Sequence, residues 1–172
     1  MKQKKSKHLH TRRLCLGPIT EQDRDALCAL FQNREIAQTY MLPDFTSPEE
    51  AGKLFDRFLV LSAAEDRFVY GIYLEGLPIG WLNDVHTQGT ELELGYVIDP
   101  QHKNQGYATE ALAAAIRELF RMGYTAVQAG AFAGNRASMR VMEKCGMART
   151  YQDEDIPYRG QNQHCINYAI YQ

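Results

Sequence analysis

The chain has 172 residues, of which 45% are hydrophobic and 23% are charged, as is typical of one globular domain. Its longest apolar run, residues 58–64, contains Ser62 and is far too short to cross a bilayer, and no apolar stretch follows the basic start. The four cysteines are scattered without a C-x-x-C pair, so the sequence predicts a cytoplasmic, metal-free protein with no disulfide framework and no membrane partner.

Charge is unevenly distributed along the chain. Residues 1–13 contain six lysines and arginines and no acid, so the net charge of −2 leaves the remainder with 13 cations against 21 acids, or −8. We therefore predict a flexible basic arm over residues 1–11 and a single domain over residues 12–172. Such an arm can bind RNA, but the acidic body argues against a nucleic-acid partner and favours a cationic substrate.

The first elements are one short strand and two helices. The strand ends at a Gly-Pro pair, and Thr20 is placed to cap a helix over residues 21–33. A clear start signal for the second helix follows, with Ser47 as the cap, Pro48 at the first position and Glu50 three residues after the cap.

The middle of the chain changes to the two-residue period of strands. Two strands flank a turn at residues 75–78, and "TELELGYVI" is a third strand. A helix between Gly106 and Gly123, a strand, a helix from about Asn135 to Cys145, and two closing strands complete the order. This order predicts an α/β fold of the α+β type, with a mixed, mostly antiparallel sheet of six or seven strands, about four flanking helices and one strand–helix–strand crossover.

The loop before the third helix has the chemistry of an anion site. In "IDPQHKNQGYATEAL", three amide side chains and Lys103 precede the lone Gly106, which opens the helix. Free N–H groups at a helix start bind phosphate, and glycine lets the backbone approach it closely. The sequence lacks the G-x-x-x-x-G-K-[ST] and G-x-G-x-x-G patterns, so a P-loop and a dinucleotide fold are excluded. A plain helix start with a solvated loop stays open at this point.

Two motifs about thirty residues apart resemble the GNAT superfamily of N-acetyltransferases. The loop "IDPQHKNQGYATEAL" resembles the family's acyl-CoA loop, with Lys103, Gly106 and Ala108 at its pattern positions. The segment "NRASMRVMEKCGM" resembles the next helix of the family, opened by Asn135 and closed by Gly146. Within the family, both segments look most like the subgroup that contains the ribosomal-protein N-terminal acetyltransferases.

The resemblance implies the GNAT fold and direct transfer of an acetyl group from acetyl-CoA to an amine, without an acyl-enzyme. It also implies a set of cofactor-binding residues, in which strand-end groups pair with the pantetheine arm and loop amides hold the pyrophosphate: Val97, Ile98, Lys103, Asn104, Gln105, Gly106, Tyr107, Ala108 and Asn135. One departure is Met142, which stands where many members have a tyrosine as general acid.

Two residues are candidates for the catalytic chemistry. Glu93, on the strand that leads to the loop, is a hypothesis for the base that deprotonates the amine, directly or through water; the alternative is an exposed strand carboxylate. Ser138 is a hypothesis for the proton donor to the departing thiolate, because the tyrosine is missing; the alternative is a serine merely tolerated in a helix. Tyr96 and Tyr107 are interpreted as packing residues, and Cys145 as a buried thiol.

The acceptor is not fixed by the sequence. A protein N-terminus, a polyamine, an amino acid and an aminoglycoside all fit a primary-amine acceptor. Two other functions stay open: a non-catalytic acyl-CoA-binding module that regulates a partner, and an RNA-associated scaffold that uses the basic arm. The family often forms dimers, so a homodimer is one assembly that the resemblance allows.

Overall fold

A computed structural model describes residues 3–172 of the chain as one sheet flanked by helices. The strands are β1 (Leu9–His10), β2 (Leu14–Gly17), β3 (Val69–Leu74), β4 (Leu77–Gln88), β5 (Glu91–Ile98), β6 (Ala126–Phe132), β7 (Ala148–Arg149), β8 (Glu154–Tyr158) and β9 (Gln161–Tyr171). The helices are α1 (Arg24–Phe31), α2 (Arg34–Ala37), α3 (Pro48–Ala63), α4 (Tyr107–Met122) and α5 (Arg136–Lys144), with short 3₁₀ turns at Glu21–Asp23 and Pro100–His102.

The strand order is β1-β2-β3-β4-β5-β6-β9-β7, and β8 also pairs with β9. Among the described strands only β5 and β6 are parallel, and α4 is the crossover between them. The predicted mixed, mostly antiparallel sheet with one crossover is therefore confirmed. The strand and helix counts exceed the prediction because β1 and β7 have two residues each and α2 has four, all too short to show a periodic pattern.

Each face of the sheet has its own hydrophobic core. Helices α4 and α5 cover one face, where Leu92 and Leu94 of β5 pack with Leu112 and Met142. Helices α1 and α3 cover the other face around the fully buried Trp81. Since successive residues of a strand point to opposite faces, β5 supplies side chains to both. This alternation decides which of its polar residues lie on which side of the sheet.

The turn and the helix cap that the sequence predicts are only partly present in the structure. The predicted turn at residues 75–78 is tighter, since Glu75 and Gly76 both have positive φ and β4 already starts at Leu77. Pro48 opens α3 as predicted, but Ser47 makes no side-chain cap. Glu50 instead accepts from the backbone N–H of Thr46 at 2.6 Å.

Residues 4–6, within the segment predicted as a flexible basic arm over residues 1–11, contact the body of the protein. Lys4 pairs with Glu65, and the Lys5 ammonium donates to the carbonyl of Ser62, in the last turn of α3, at 2.8 Å. The backbone N–H of Ser6 donates to Glu118 at 2.6 Å. These ammonium groups and this backbone amide are therefore bound by carbonyl and carboxylate oxygens of the body. The charge count of the sequence could not reveal these contacts. Residues 1 and 2 lie outside the described part of the chain.

None of the helices within residues 3–172 is both long and apolar enough to pass through a membrane.

Candidate active site

A gap opens between β5 and β6 in the middle of the sheet. The parallel pairing of these strands ends at Glu93 opposite Gln128, whereas β5 stays paired with β4 as far as Ile98. Within the described residues, therefore, the part of β5 after Glu93 has no strand partner on the β6 side. The gap leaves backbone groups of residues 94–98, including the predicted Val97 and Ile98, available to an extended ligand.

The loop after β5 leads from this gap to the start of α4. Asp99 accepts from the N–H of Gln101 at 2.9 Å and opens the 3₁₀ turn. Asn104 and Gly106 have φ of +62° and +82°, so the chain turns twice through the left-handed region before the helix begins. The predicted Lys103, Asn104, Gln105 and Gly106 are all exposed. Lys103 is not free, because its ammonium pairs with Glu35 on α2.

The first turn of α4 presents the backbone donors that the sequence predicted. Tyr107 and Ala108 are its first two residues, and the helical bonds begin only where the N–H of Glu110 donates to the carbonyl of Gly106 at 3.0 Å. The amides of residues 107–109 are therefore left without helical acceptors. Together with the partial positive charge of a sixteen-residue helix, they fit a diphosphate.

Helix α5 places two hydroxyl groups together at the side of the gap. The Tyr96 hydroxyl, from β5, lies 2.7 Å from Ser138 Oγ on α5. Burial raises the pKa of Tyr96 well above that of a free phenol, although the hydrogen bond with Ser138 opposes the shift. Asn135 caps α5 with its amide oxygen, which accepts from the Ser138 N–H at 3.2 Å and leaves its NH₂ group available to a cofactor. Met142, at the missing tyrosine's position, is fully buried.

Cys145 lies beside this hydroxyl pair but has the properties of an inert thiol. Its Sγ is 3.4 Å from the carbonyl oxygen of Thr109, between α5 and α4. Burial raises the pKa of this thiol to about 11. The thiolate that would act as a nucleophile is therefore scarce at neutral pH.

Glu93 lies on the opposite face of β5 from Tyr96, since the two residues are three apart along the strand. The half-buried carboxylate borders a groove of about 530 Å³ that Gln128, Glu154 and Asn167 also line. Burial raises the pKa of Glu93, the nearby charge of Glu154 raises it further, and His86 opposes both. A carboxylate with a raised pKa is a stronger proton acceptor than a solvated one.

Three consecutive acids, residues 153–155, lie around the start of β8 and divide into two groups by their contacts. Asp153 pairs with Arg149, and Asp155 accepts from His164 Nδ1 at 2.8 Å. Of the three consecutive acids, only Glu154 lines the groove with Glu93. The groove therefore carries two carboxylates on its wall.

Comparison with known proteins identifies the chain. A family model described as an acetyltransferase (GNAT) domain matches residues 13–148. The chain belongs to the GNAT acetyltransferase family. It is 30% identical over 146 residues, 82% of each protein, to the uncharacterised N-acetyltransferase YoaA of Bacillus subtilis (strain 168). The GNAT-family acetyltransferase from Bacillus anthracis has the same fold, with a TM-score of 0.80 and 22% identity over 95% of this chain and 98% of that one. RimL, a ribosomal α-N-protein acetyltransferase solved with coenzyme A, also matches in fold, with a TM-score of 0.80 and 19% identity over 95% and 97%.

As a GNAT acetyltransferase, the chain uses acetyl-CoA as acyl donor, and the residues at the gap fit such a ligand. The unpaired edge of β5 leads directly to the free amides of α4, so an extended arm and a diphosphate would lie on one continuous path. When bound, acetyl-CoA supplies an activated thioester. Among residues 3–172, no three His, Cys, Asp or Glu side chains are arranged to hold a metal ion.

Three residues around the site escaped the sequence reasoning. The sequence predicts Tyr96 to be a packing residue, but its hydroxyl contacts Ser138 Oγ of α5 at the side of the gap. Tyr40 lies across β5 at Gly95, where a Cβ would come within 3.0 Å of its ring, and its hydroxyl donates to Asn83 at 2.7 Å. Arg13 reaches the loop from the start of β2. None could be found from local patterns, because each contact joins segments more than forty residues apart.

Replacing Gly106 with alanine is expected to weaken coenzyme A binding about tenfold. With a Cβ at this position the free loop relaxes away from the φ of +82°, and binding must restore that conformation at a cost of about 1–2 kcal/mol, where 1.4 kcal/mol is a factor of ten in affinity. A Cβ there would also lie 3.2 Å from Arg13 Nη2. Isothermal titration calorimetry measures the dissociation constant.

A matched control for Gly106→Ala is Gly76→Ala in the β3–β4 turn. Gly76 has φ of +83° and no neighbour within 4 Å of its Cβ position, so the same backbone strain arises away from the gap. Both variants should lose similar unfolding free energy, while only Gly106→Ala weakens binding. Equal coenzyme A affinity in the two variants would contradict the assigned role of the loop.

Proposed function

We propose that the protein transfers the acetyl group of acetyl-CoA directly to a primary amine that enters from the groove beside Glu93. The observation that carries this proposal is the end of the β5–β6 pairing at Glu93 and Gln128. It leaves a carboxylate on one face of β5 and a hydroxyl pair on the other, with an open strand edge between them. An acceptor and a thioester could meet through this gap from opposite faces of the sheet.

Glu93 acts as the general base in this proposal. Most amines arrive protonated, because their pKa values lie near 8 for an α-amine and near 10.4 for a lysine-like amine. The carboxylate takes a proton from the ammonium, directly or through one water, and frees the nitrogen lone pair to attack the thioester carbonyl carbon. The raised pKa of Glu93 makes it a stronger base than a solvated carboxylate.

The hydroxyls of Tyr96 and Ser138 supply the proton for the leaving sulfur. Their 2.7 Å contact lets one hydroxyl donate while the other replaces the lost hydrogen, and the second proton of the attacking nitrogen, released as the amide forms, restores the pair through solvent. The burial that raises the pKa of Tyr96 keeps this phenol protonated through the working pH range. Ser138 is thereby proposed as one member of a pair rather than as a single acid.

Val97, Ile98, the loop residues 103–106, Tyr107, Ala108 and Asn135 are proposed as the acetyl-CoA-binding set. The strand end serves the pantetheine arm, and the loop and helix start serve the diphosphate. In this proposal Lys103 must leave Glu35 if it is to contact a phosphate. That exchange costs little, since both side chains are more than half exposed and such surface pairs contribute about 0–1 kcal/mol.

The proposed acceptor is a primary amine on a protein N-terminus or a small molecule. Glu93 and Glu154 on the groove wall favour a positively charged acceptor over a neutral or anionic one, because Arg149, which also lines the groove, is already paired with Asp153. Three of the six N-terminal cations, Lys4, Lys5 and Arg13, are engaged within the protein, which weakens the case for an RNA-binding arm.

The test is release of free coenzyme A thiol from acetyl-CoA across N-terminal peptides, polyamines, amino acids and aminoglycosides. Turnover with one class and formation of its N-acetyl product by mass spectrometry support the proposal and name the acceptor. Acetylation of only hydroxyl or thiol acceptors would refute it, since Glu93 is assigned to an ammonium.

A further inference from the structure

Arg13 makes a concentrated set of contacts with the start of α4, although it lies in the turn before β2. Its Nη1 donates to the carbonyl of Gln105 at 2.9 Å, and its Nε donates to Glu110 Oε2 at 2.8 Å. The guanidinium carbon is 4.4 Å from the centre of the Tyr107 ring. One side chain therefore touches the loop just before Gly106 and the helix just after it.

The contact with Gln105 fixes the orientation of one peptide group. A trans peptide is planar, so the carbonyl oxygen of Gln105 and the N–H of Gly106 point in opposite directions. Because Arg13 holds the carbonyl on its own side, the Gly106 N–H points away from Arg13. Peptides next to residues with positive φ have more than one accessible orientation, and Gly106, with φ of +82°, is such a residue. Arg13 selects one of them.

The contact with Glu110 adjusts the charge at the helix start. A carboxylate in the first turn favours the helix dipole but repels a bound diphosphate. Glu110 accepts from the side chain of Thr11 and from the backbone N–H of Arg13 at 2.7 Å, besides the guanidinium. Burial alone would raise the pKa of Glu110, yet these hydrogen bonds outweigh it and lower the pKa. The carboxylate stays ionised, and Arg13 neutralises it.

We infer that Arg13 is a positioning residue for acetyl-CoA, which orients the Gln105–Gly106 peptide and neutralises Glu110 so that the loop can bind the diphosphate. The inference rests on the proposed acetyl-CoA site and concerns its diphosphate end only. Arg13 acts through the loop, since its Nη1 and Nε are engaged on Gln105 and Glu110 and its guanidinium lies over the face of Tyr107.

The test compares Arg13→Gln with Arg12→Gln, in which an exposed neighbouring cation is lost with the same change in net charge. Calorimetry with coenzyme A should show about a tenfold higher dissociation constant for Arg13→Gln only. Arg13→Gln combined with Glu110→Gln should recover part of this loss, because the unneutralised carboxylate is removed as well. Arg13→Lys should not bind as the wild type does, because one ammonium cannot contact the carbonyl and the carboxylate with the fork geometry of arginine.

A donor without the diphosphate separates positioning from a general structural defect. With acetyl-pantetheine, kcat/KM of Arg13→Gln relative to the wild type should be close to one, whereas with acetyl-CoA the ratio should fall about tenfold. Equal losses with both donors, or no recovery in the double variant, would overturn the inference. Binding is measured without turnover, so a wild type that binds coenzyme A but acetylates no amine refutes the proposed function alone. A wild type that does not bind coenzyme A overturns both.

Discussion

Replacing Glu93 with glutamine is expected to lower kcat/KM for the amine acceptor at neutral pH by about 10²–10⁴-fold, the usual range for loss of a general acid or base. The substitution keeps the size and half-buried position of the side chain but removes the proton acceptor at the end of the β5–β6 pairing. Steady-state rates with saturating acetyl-CoA measure the loss. The coenzyme A dissociation constant should stay within about twofold, because the groove lies on the face of β5 opposite the hydroxyl pair.

The dependence of activity on pH should differ between the wild type and Glu93→Gln. A base works only when deprotonated, so wild-type activity rises with pH through the pKa of Glu93, and burial together with Glu154 moves that rise above the usual carboxylate range. In Glu93→Gln, only amine that has already lost its proton reacts. Its activity should therefore rise near the pKa of the acceptor itself, about 8 for an α-amine or about 10.4 for a lysine-like amine.

Glu91→Gln is the matched control for Glu93→Gln. Glu91 lies two residues earlier on the same face, but it is exposed and its carboxylate accepts from Gln128 Nε2 at 2.9 Å. We expect wild-type kinetics from Glu91→Gln. If both variants lost activity equally, the effect would come from the general negative charge on this face of β5, and Glu93 would not be the base.

The parts of the fold that the sequence predicts are those that local chemistry dictates. Glycine at residues 106, 123 and 146 marks helix ends, and each has positive φ in the structure. The anion-binding loop before α4 is predictable for the same reason, since a helix start with a preceding glycine has the same free N–H donors in any context. Asn135 likewise opens α5 as the sequence predicts, because a helix cap depends only on the residues that follow it.

Features made by distant segments could not be predicted in this way. The gap exists because β5 and β6 diverge after Glu93, and strand pairing depends on the whole sheet rather than on either strand. The first of the two predicted closing strands, residues 147–156, is divided into β7 and β8, with Tyr151 at φ of +59° between them. A positive φ at a tyrosine is uncommon, so no local signal marks the break.

The hydroxyl pair leads to the second large prediction. Tyr96→Phe and Ser138→Ala are each expected to lower kcat by about tenfold to hundredfold while the coenzyme A dissociation constant changes by less than about twofold. The loss lies toward the low end for general acids because a thiol has a pKa near 8.5 and its anion leaves partly unaided. Rapid-quench single-turnover rates separate this step from product release.

Combining the two substitutions tests whether the hydroxyls act together. Groups that act as one unit are not additive, so Tyr96→Phe with Ser138→Ala should be no slower than the slower single variant, with an interaction energy of about 0.5–3 kcal/mol. Tyr73→Phe is the control, since it removes a half-buried tyrosine hydroxyl that donates to Asp23 at 2.7 Å, on β3 and away from the gap. It should lower stability without changing kcat. Fully additive losses would mean that Tyr96 and Ser138 serve separate steps, and a fall in coenzyme A affinity that matched the fall in kcat would make the pair a binding contact instead of a proton source.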